Sequence, residues 1–374
     1  MTESDLQPGK ELPPTPSPDT RGNGRSDALG PTGADGVPSA RRHVMYLLVA
    51  AIVLLTALLA LVRLAALLQP SWPQQPYAWV DLDEPSVAGA GHERDVRGTT
   101  GVPPVVPGLQ AKAVFRFAVV PVISPAKSLE QYQPLVDCLA SRLGRAPVLL
   151  RGRSYGEIVE LLRNKSCDAA LISAYALVRG EREFGLQALV VPQVKGAVTC
   201  NALFLVSSSS PAASLLQLQG KRFAAADVFS TCGWLYPTVW LKTQGADADR
   251  FFGEYLITGS HDRSLQAVAT GYVDCTALNS VVYEQMTHAD PNLAAAAKVI
   301  LKSPPLGMPP VVVPPNMDSG LRQALLAVFL GAHEDPAGKQ VLASLGVERF
   351  TVPEDSLYDD VRRAVDVWES RTKR

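Results

Sequence analysis

The sequence repeats itself at a fixed distance. RFAVVPVIS, from Arg116 to Ser124, returns as RFAAADVFS, from Arg222 to Ser230, an offset of 106 residues. The same offset sets Ser154-Tyr155 on Ser260-His261, and Asp168 of CDAALIS on Asp274 of VDCTALN. Agreement without gaps at three separated places means that one unit is used twice. Each half reads as strand, Ser-ended turn, helix, intervening element, Ser followed by a ring, helix, Asp, strand. Such a chain is expected to fold as two similar lobes.

Hydrophobic periodicity gives the lobes their class. FRFAVVPV (115–122) and KRFAAADV (221–228) are short apolar runs with strand character. Ile158, Val159, Leu161 and Leu162 mark one helical face; Leu265, Val268 and Tyr272 mark another. Ser154 with Glu157 makes a capping-box pattern, and Ser128 with Gln131 offers the same before LVDCLASRLG, which ends on Gly144. Alternating strands and helices predict α/β lobes with largely parallel sheets. TCNALFLVSSS (199–209) and PPVVVPPN (309–316) read as extended segments where the chain passes between lobes. These signals place lobe 1 at 113–205 with part of 310–374, lobe 2 at 206–309, and a return strand with C-terminal helices at 310–374.

The N-terminal region has a different composition. Residues 1–43 are rich in Pro, Gly, Ser and Asp and read as a disordered tail, because they lack apolar surface to offset the entropy of ordering. Val44 to Val62 is a run of 19 residues without a charge. As a helix it would span roughly 28 Å at about 1.5 Å per residue, near the hydrocarbon thickness of a bilayer. It is longer than the apolar core of a cleaved signal peptide, usually about 7–15 residues, so residues 44–68 are expected to be an uncleaved transmembrane anchor. Arg41 and Arg42 before the run, and the acidic DLDE beyond Arg63, predict an inside N-terminus and a periplasmic or extracytoplasmic body. Residues 69–112, with many Pro and Gly, read as a linker. The formal net charge of −1 gives no basic excess for a nucleic-acid surface. Five cysteines, without CxxC or Cys/His clustering, point to neither a metal nor a cofactor, and leave at least one thiol unpaired within the chain.

The turns at the strand ends carry the candidate chemistry. Helix N-termini present unpaired N–H groups and a partial positive charge, which suits an anion. Ser230 and Thr231 add hydroxyls, and Gly233 permits close approach to the backbone. Pro237 removes one N–H just beyond. His261 adds a ring donor, and Tyr155 and Tyr175 add phenols near two other strand ends. Ser124 and Asn279, ending further strands, complete the set. Taken singly these residues have bland readings: Ser230 as an N-cap worth roughly 1 kcal/mol, the tyrosines as packing, Asp168 and Asp274 as structural groups at strand starts. Their convergence on one cleft between lobes, rich in donors and poor in fixed cations, points to a small oxyanion.

From about Phe115 to Val361 the body resembles the phosphate/phosphite/phosphonate-binding proteins of ABC transporters. The resemblance is carried in order by FAVVPVISP, SYGEIVELL, CDAALISAYAL, STCGWLYP, GSHD with AVATGYVD, and SPPLGMPPVVVP. It implies a type II periplasmic-binding-protein fold, two α/β lobes joined by crossing strands that close over ligand. It also implies oxyanion contacts from Ser230, Thr231, Cys232, Gly233 and His261, with Tyr155 and Tyr175 lining the cleft. Cys232 stands where the family usually has serine, and a thiol is the weaker donor. The expected function is a membrane-tethered extracytoplasmic solute-binding protein, not an enzyme, that passes phosphonate, phosphate or phosphite to an ABC permease. The alternative is a ligand-sensing or accessory module acting on a membrane partner without transport. An enzyme built on a Cys232 thiolate, its pKa lowered at a helix N-terminus and with His261 as base, is disfavoured because nothing orients a reaction.

Overall fold

A computed structural model describes residues 50, 53–54, 56–57, 60, 78–79 and 113–370. The expected tail (1–43), most of the expected anchor (44–68) and nearly all of the expected linker (69–112) lie outside the described residues. The chain divides into two compact units, Met1–Pro70 and Ser71–Arg374. In the first, the described positions between 50 and 60 are helical and exposed. Among the described residues no helix is long and apolar enough to cross a membrane.

The second unit starts with β1 (Ala78–Trp79). Lobe 1 then opens with β2 (Val114–Val119), α1 (Pro125–Leu143), β3 (Ala146–Arg151), α2 (Tyr155–Arg163), β4 (Ala169–Leu171), α3 (Ala174–Phe184) and β5 (Gln187–Gln193). The short β6 (Thr199–Cys200) leads into lobe 2. That lobe contains β7 (Ala202–Ser207), β8 (Arg222–Ala225), α4 (Tyr236–Thr243), β9 (Glu254–Ile257), α5 (His261–Ala269), β10 (Cys275–Asn279), α6 (Ser280–Ala289), α7 (Pro291–Ala296) and β11 (Ala297–Lys302). After β12 (Leu306–Gly307) the chain returns to lobe 1 with β13 (Val311–Val313), α8 (Ser319–Leu330), α9 (Pro336–Ser344) and β14 (Arg349–Thr351). The final helix, α10 (Asp359–Glu369), reaches both lobes: Arg362 pairs with Glu181 of α3, and Lys242 of α4 donates to Ser370 at its end.

Each lobe holds one six-stranded sheet, ordered β14-β5-β13-β4-β2-β3 and β1-β9-β8-β10-β7-β11. The sheets are mixed rather than largely parallel. β2 pairs parallel with β3 and β4, and β8 with β9 and β10. The crossing strands β13 and β7 then add antiparallel, because each enters its sheet from the other lobe. β6 and β12 pair with each other, Cys200 opposite Leu306, and form the hinge. The first crossing therefore falls at Thr199–Cys200. Ala202–Ser207 belongs to lobe 2, so the expected division after residue 205 moves back to before Ala202. Gly307 is required in the hinge, since a Cβ there would meet the Tyr358 ring at 2.6 Å.

The repeat is visible in bonds as well as letters. Arg116 N donates to Asp168 Oδ2 (2.7 Å) and Asp168 N returns to Arg116 O (2.8 Å). Arg222 N and Asp274 make the same exchange at 2.8 and 3.0 Å. In both lobes a carboxylate just before one strand satisfies an arginine N–H of the neighbouring parallel strand. Asp168→Ala is expected to lower stability by about 1–2 kcal/mol in urea unfolding. Most of that comes from the stranded Arg116 N–H, because the Arg116 side chain is 41% exposed and its ion pair is screened. A loss below about 0.5 kcal/mol, the size of an ordinary surface effect, would contradict this.

Candidate functional site

The turn after β8 is built by local capping. Ser230 precedes the helix, and its Oγ accepts from Gly233 N at 2.9 Å. A side chain at 233 would put a Cβ 2.9 Å from that Oγ, which is why glycine sits there. Trp234 N and Leu235 N both reach Ser230 O (3.1 and 3.0 Å), so the first turn is wider than an α-turn, a feature common at functional sites. The N–H groups of Thr231 and Cys232 make no hydrogen bond among the described residues.

The opposite lobe meets this turn directly. Tyr155 N donates to Asp227 Oδ2 (3.0 Å), and Phe229 N donates to Asp227 Oδ1 (2.8 Å). Tyr175 N donates to Thr231 Oγ1 (2.9 Å), and Ser173 Oγ donates to Phe229 O (2.5 Å). His261 N, equivalent by the repeat to Tyr155 N, donates to Val122 O (3.0 Å). Each lobe thus satisfies a helix start of the other, and the structure is closed. The amides of Tyr155 and Tyr175, at two helix starts of lobe 1, are thereby paired across the gap.

Between the lobes lies a cavity of about 110 Å³. It brings together Ser230, Thr231, Cys232, His261, Tyr155 and Asn279. The Oγ atoms of Ser230 and Thr231 already accept, which leaves their hydrogens to donate. His261 is 3% exposed, and its Nδ1 is buried with no hydrogen-bond partner among the described residues. Burial pushes its pKa down from 6.5 to about 4, opposed by neighbouring Asp262, so the ring is neutral at pH 7. Burial pushes Asp227 up from 3.8 to about 6, opposed by the two N–H groups it accepts.

A family model described as ABC transporter, phosphonate, periplasmic substrate-binding protein matches residues 117–358. The chain belongs to this family. Among curated proteins, this family member is 25% identical over 175 residues to the probable ABC transporter phosphite binding protein PhnD1 of Prochlorococcus marinus (strain MIT 9301). That match covers 45% of this chain and 59% of the relative, under two thirds of its length. Two solved structures share the fold. A binding protein component of an ABC phosphonate transporter from Pseudomonas aeruginosa has a TM-score of 0.65 at 22% identity, covering 70% of this chain and 88% of that one. PhnD1 from Prochlorococcus marinus in complex with methylphosphonate has a TM-score of 0.60 at 20% identity, covering 68% and 98%. The body is therefore an α/β periplasmic-binding-protein fold.

Not every candidate residue of this family member reaches the cavity. Tyr175 meets the interface through its backbone and through its ring, which packs on Phe229 of lobe 2, centroids 5.8 Å apart, and does not line the cavity. Ser124 lies before α1 without a side-chain capping bond and is also outside it, as is Gly233, whose part is to make room for the Ser230 cap. Asn279 uses Oδ1 to cap α6 through Val281 N (2.8 Å) and its amide NH₂ on Cys200 Sγ (3.2 Å). Cys232 packs among Val191, Cys200, Ala202, Leu306 and Met308 at the hinge, its Sγ 4.0 Å from that of Cys200. The Cys200 thiol and burial push its pKa well up, the reverse of an activated nucleophile. Asp227, Ser173 and Tyr132 were not among the candidates, though Ser173 and Tyr132 line the cavity. Asp227 left a trace: it is the repeat equivalent of Pro121, where the two halves differ in kind.

Proposed function

We propose that this chain is a membrane-tethered, extracytoplasmic solute-binding protein that holds a small phosphonate-like oxyanion between its lobes for an ABC permease. The observation that carries this reading is a set of unused donors on residues that line the cavity between the lobes. These are the amides of Thr231 and Cys232, the hydroxyl hydrogens of Ser230 and Thr231, and the unpartnered Nδ1 of a neutral His261, which donates in its Nδ1–H tautomer. Buried donors without partners cost about 1–3 kcal/mol each, so the site favours a species that offers several acceptor oxygens at once. The family description and the relatives named for phosphite and phosphonate support that chemistry. Among the described residues no lysine or arginine lines the cavity, so affinity rests on hydrogen bonds rather than on a salt bridge. The tether is supported by the uncharged run 44–62 and by helical positions within it that leave Val53 and Leu54 59% and 71% exposed.

Thermal unfolding of the full chain with methylphosphonate, phosphite, phosphate or sulfate tests the reading. A true ligand at 100 times its Kd should stabilise the fold by about 2.7 kcal/mol. No shift with any of the four would overturn it.

A further inference from the structure

We infer that the solute carries an uncharged, apolar organic group. This inference rests on the oxyanion reading and extends it to the rest of the lining of the same cavity. Besides Ser230 and His261 the lining includes Leu135, Leu171, Val194, Val311, Val347 and Phe350. The polar side chains beside them, Gln131 and Tyr132, are neutral, and burial pushes the Tyr132 phenol up to about 12. Among the described residues no aspartate, glutamate, lysine or arginine lines the cavity.

The nearby carboxylates are committed elsewhere. Asp227 accepts two backbone N–H groups, while Asp262 accepts from Ser260 Oγ (2.6 Å) and pairs with Lys127 (3.7 Å). An ammonium group here would lose its water and gain no counter-charge, a heavy penalty for a buried charge. A short alkyl group loses nothing comparable and gains burial. The volume of the whole cavity, about 110 Å³, is smaller than the roughly 150 Å³ of an apolar cavity that takes up benzene, and the oxyanion shares it, which limits the organic group to a short chain. Gln285, also in the lining, uses its Nε2 on Leu345 O of lobe 1 at 2.9 Å.

The test is calorimetric titration of the full chain with methyl-, ethyl-, propyl- and 2-aminoethylphosphonate. Affinity is expected to rise roughly four-fold for each added methylene. 2-Aminoethylphosphonate, matched in size to the propyl compound, should bind about 100-fold more weakly than it. Val347→Phe, at a half-buried wall position, should reverse the order and make propylphosphonate the weaker ligand. If the aminoethyl compound binds as tightly as the propyl one, or methyl binds best, this inference is overturned while oxyanion binding stands. If none of the four binds, the oxyanion reading falls and this inference falls with it.

Discussion

Thr231→Val is expected to weaken methylphosphonate binding by at least about 100-fold while leaving the fold intact. Valine keeps the shape of threonine and removes only the hydroxyl. That hydroxyl has two tasks in the closed structure. Its oxygen accepts Tyr175 N of lobe 1 at 2.9 Å, and its hydrogen remains for the solute. A hydrogen bond to a charged partner contributes about 1.5–3 kcal/mol, and stranding the Tyr175 N–H costs about 1–3 kcal/mol more. At 1.4 kcal/mol per factor of ten, a combined loss of about 3 kcal/mol already exceeds 100-fold. Thr231→Ser keeps the hydroxyl and should bind within about ten-fold of the parent, since it loses only a methyl group. Titration calorimetry on both variants decides the matter. A valine variant that binds within about three-fold of the parent, under 1 kcal/mol, would remove Thr231 from the site.

Asp227→Ala should produce the largest loss of stability among these substitutions and, with it, a new pH dependence. The carboxylate is 2% exposed and accepts from Tyr155 N and Phe229 N. Alanine strands both donors at the closed interface, a cost of about 2–5 kcal/mol. The pH effect follows from proton linkage. Asp227 is raised from 3.8 to about 6, so its contribution is full below pH 3.8 and is lost as pH rises through 6. His261 is lowered from 6.5 to about 4, so its contribution is full above pH 6.5 and is lost as pH falls through 4. Each shift corresponds to about 3 kcal/mol, with opposite sign over nearly the same window. In the parent the two largely cancel. In Asp227→Ala the histidine acts alone, and stability should climb by up to about 3 kcal/mol from pH 4 to 6.5. In His261→Gln the aspartate acts alone and stability should fall over that range. Urea unfolding of the three proteins at several pH values tests this; parallel curves for all three would refute it.

Much of this protein was legible from neighbouring residues alone. The repeat anticipated two lobes, and the paired Arg116–Asp168 and Arg222–Asp274 exchanges show why the spacing was kept so regular. Ser154 caps Glu157 N as its motif predicted, because capping involves residues within one turn of each other. Even local signals met competition. α1 begins at Pro125, earlier than the Ser128–Gln131 pattern suggested, and Ser128 Oγ instead donates to Ile123 O at 2.9 Å. Proline is well tolerated in a first helical turn, so the earlier start carries no penalty.

The sequence by itself determined the duplicated α/β units, the Ser-Thr-Cys-Gly turn and the helix that follows it, since periodicity and capping act over a few residues. Only the tertiary structure decided which donors remain for a solute. Tyr155 N and Tyr175 N find their acceptors 72 and 56 residues away in the other lobe, and the Tyr175 ring turns to Phe229 instead of the cleft. A backbone amide takes whatever acceptor lobe closure brings within reach, and that distance is set by how two separate sheets meet, not by the letters beside it.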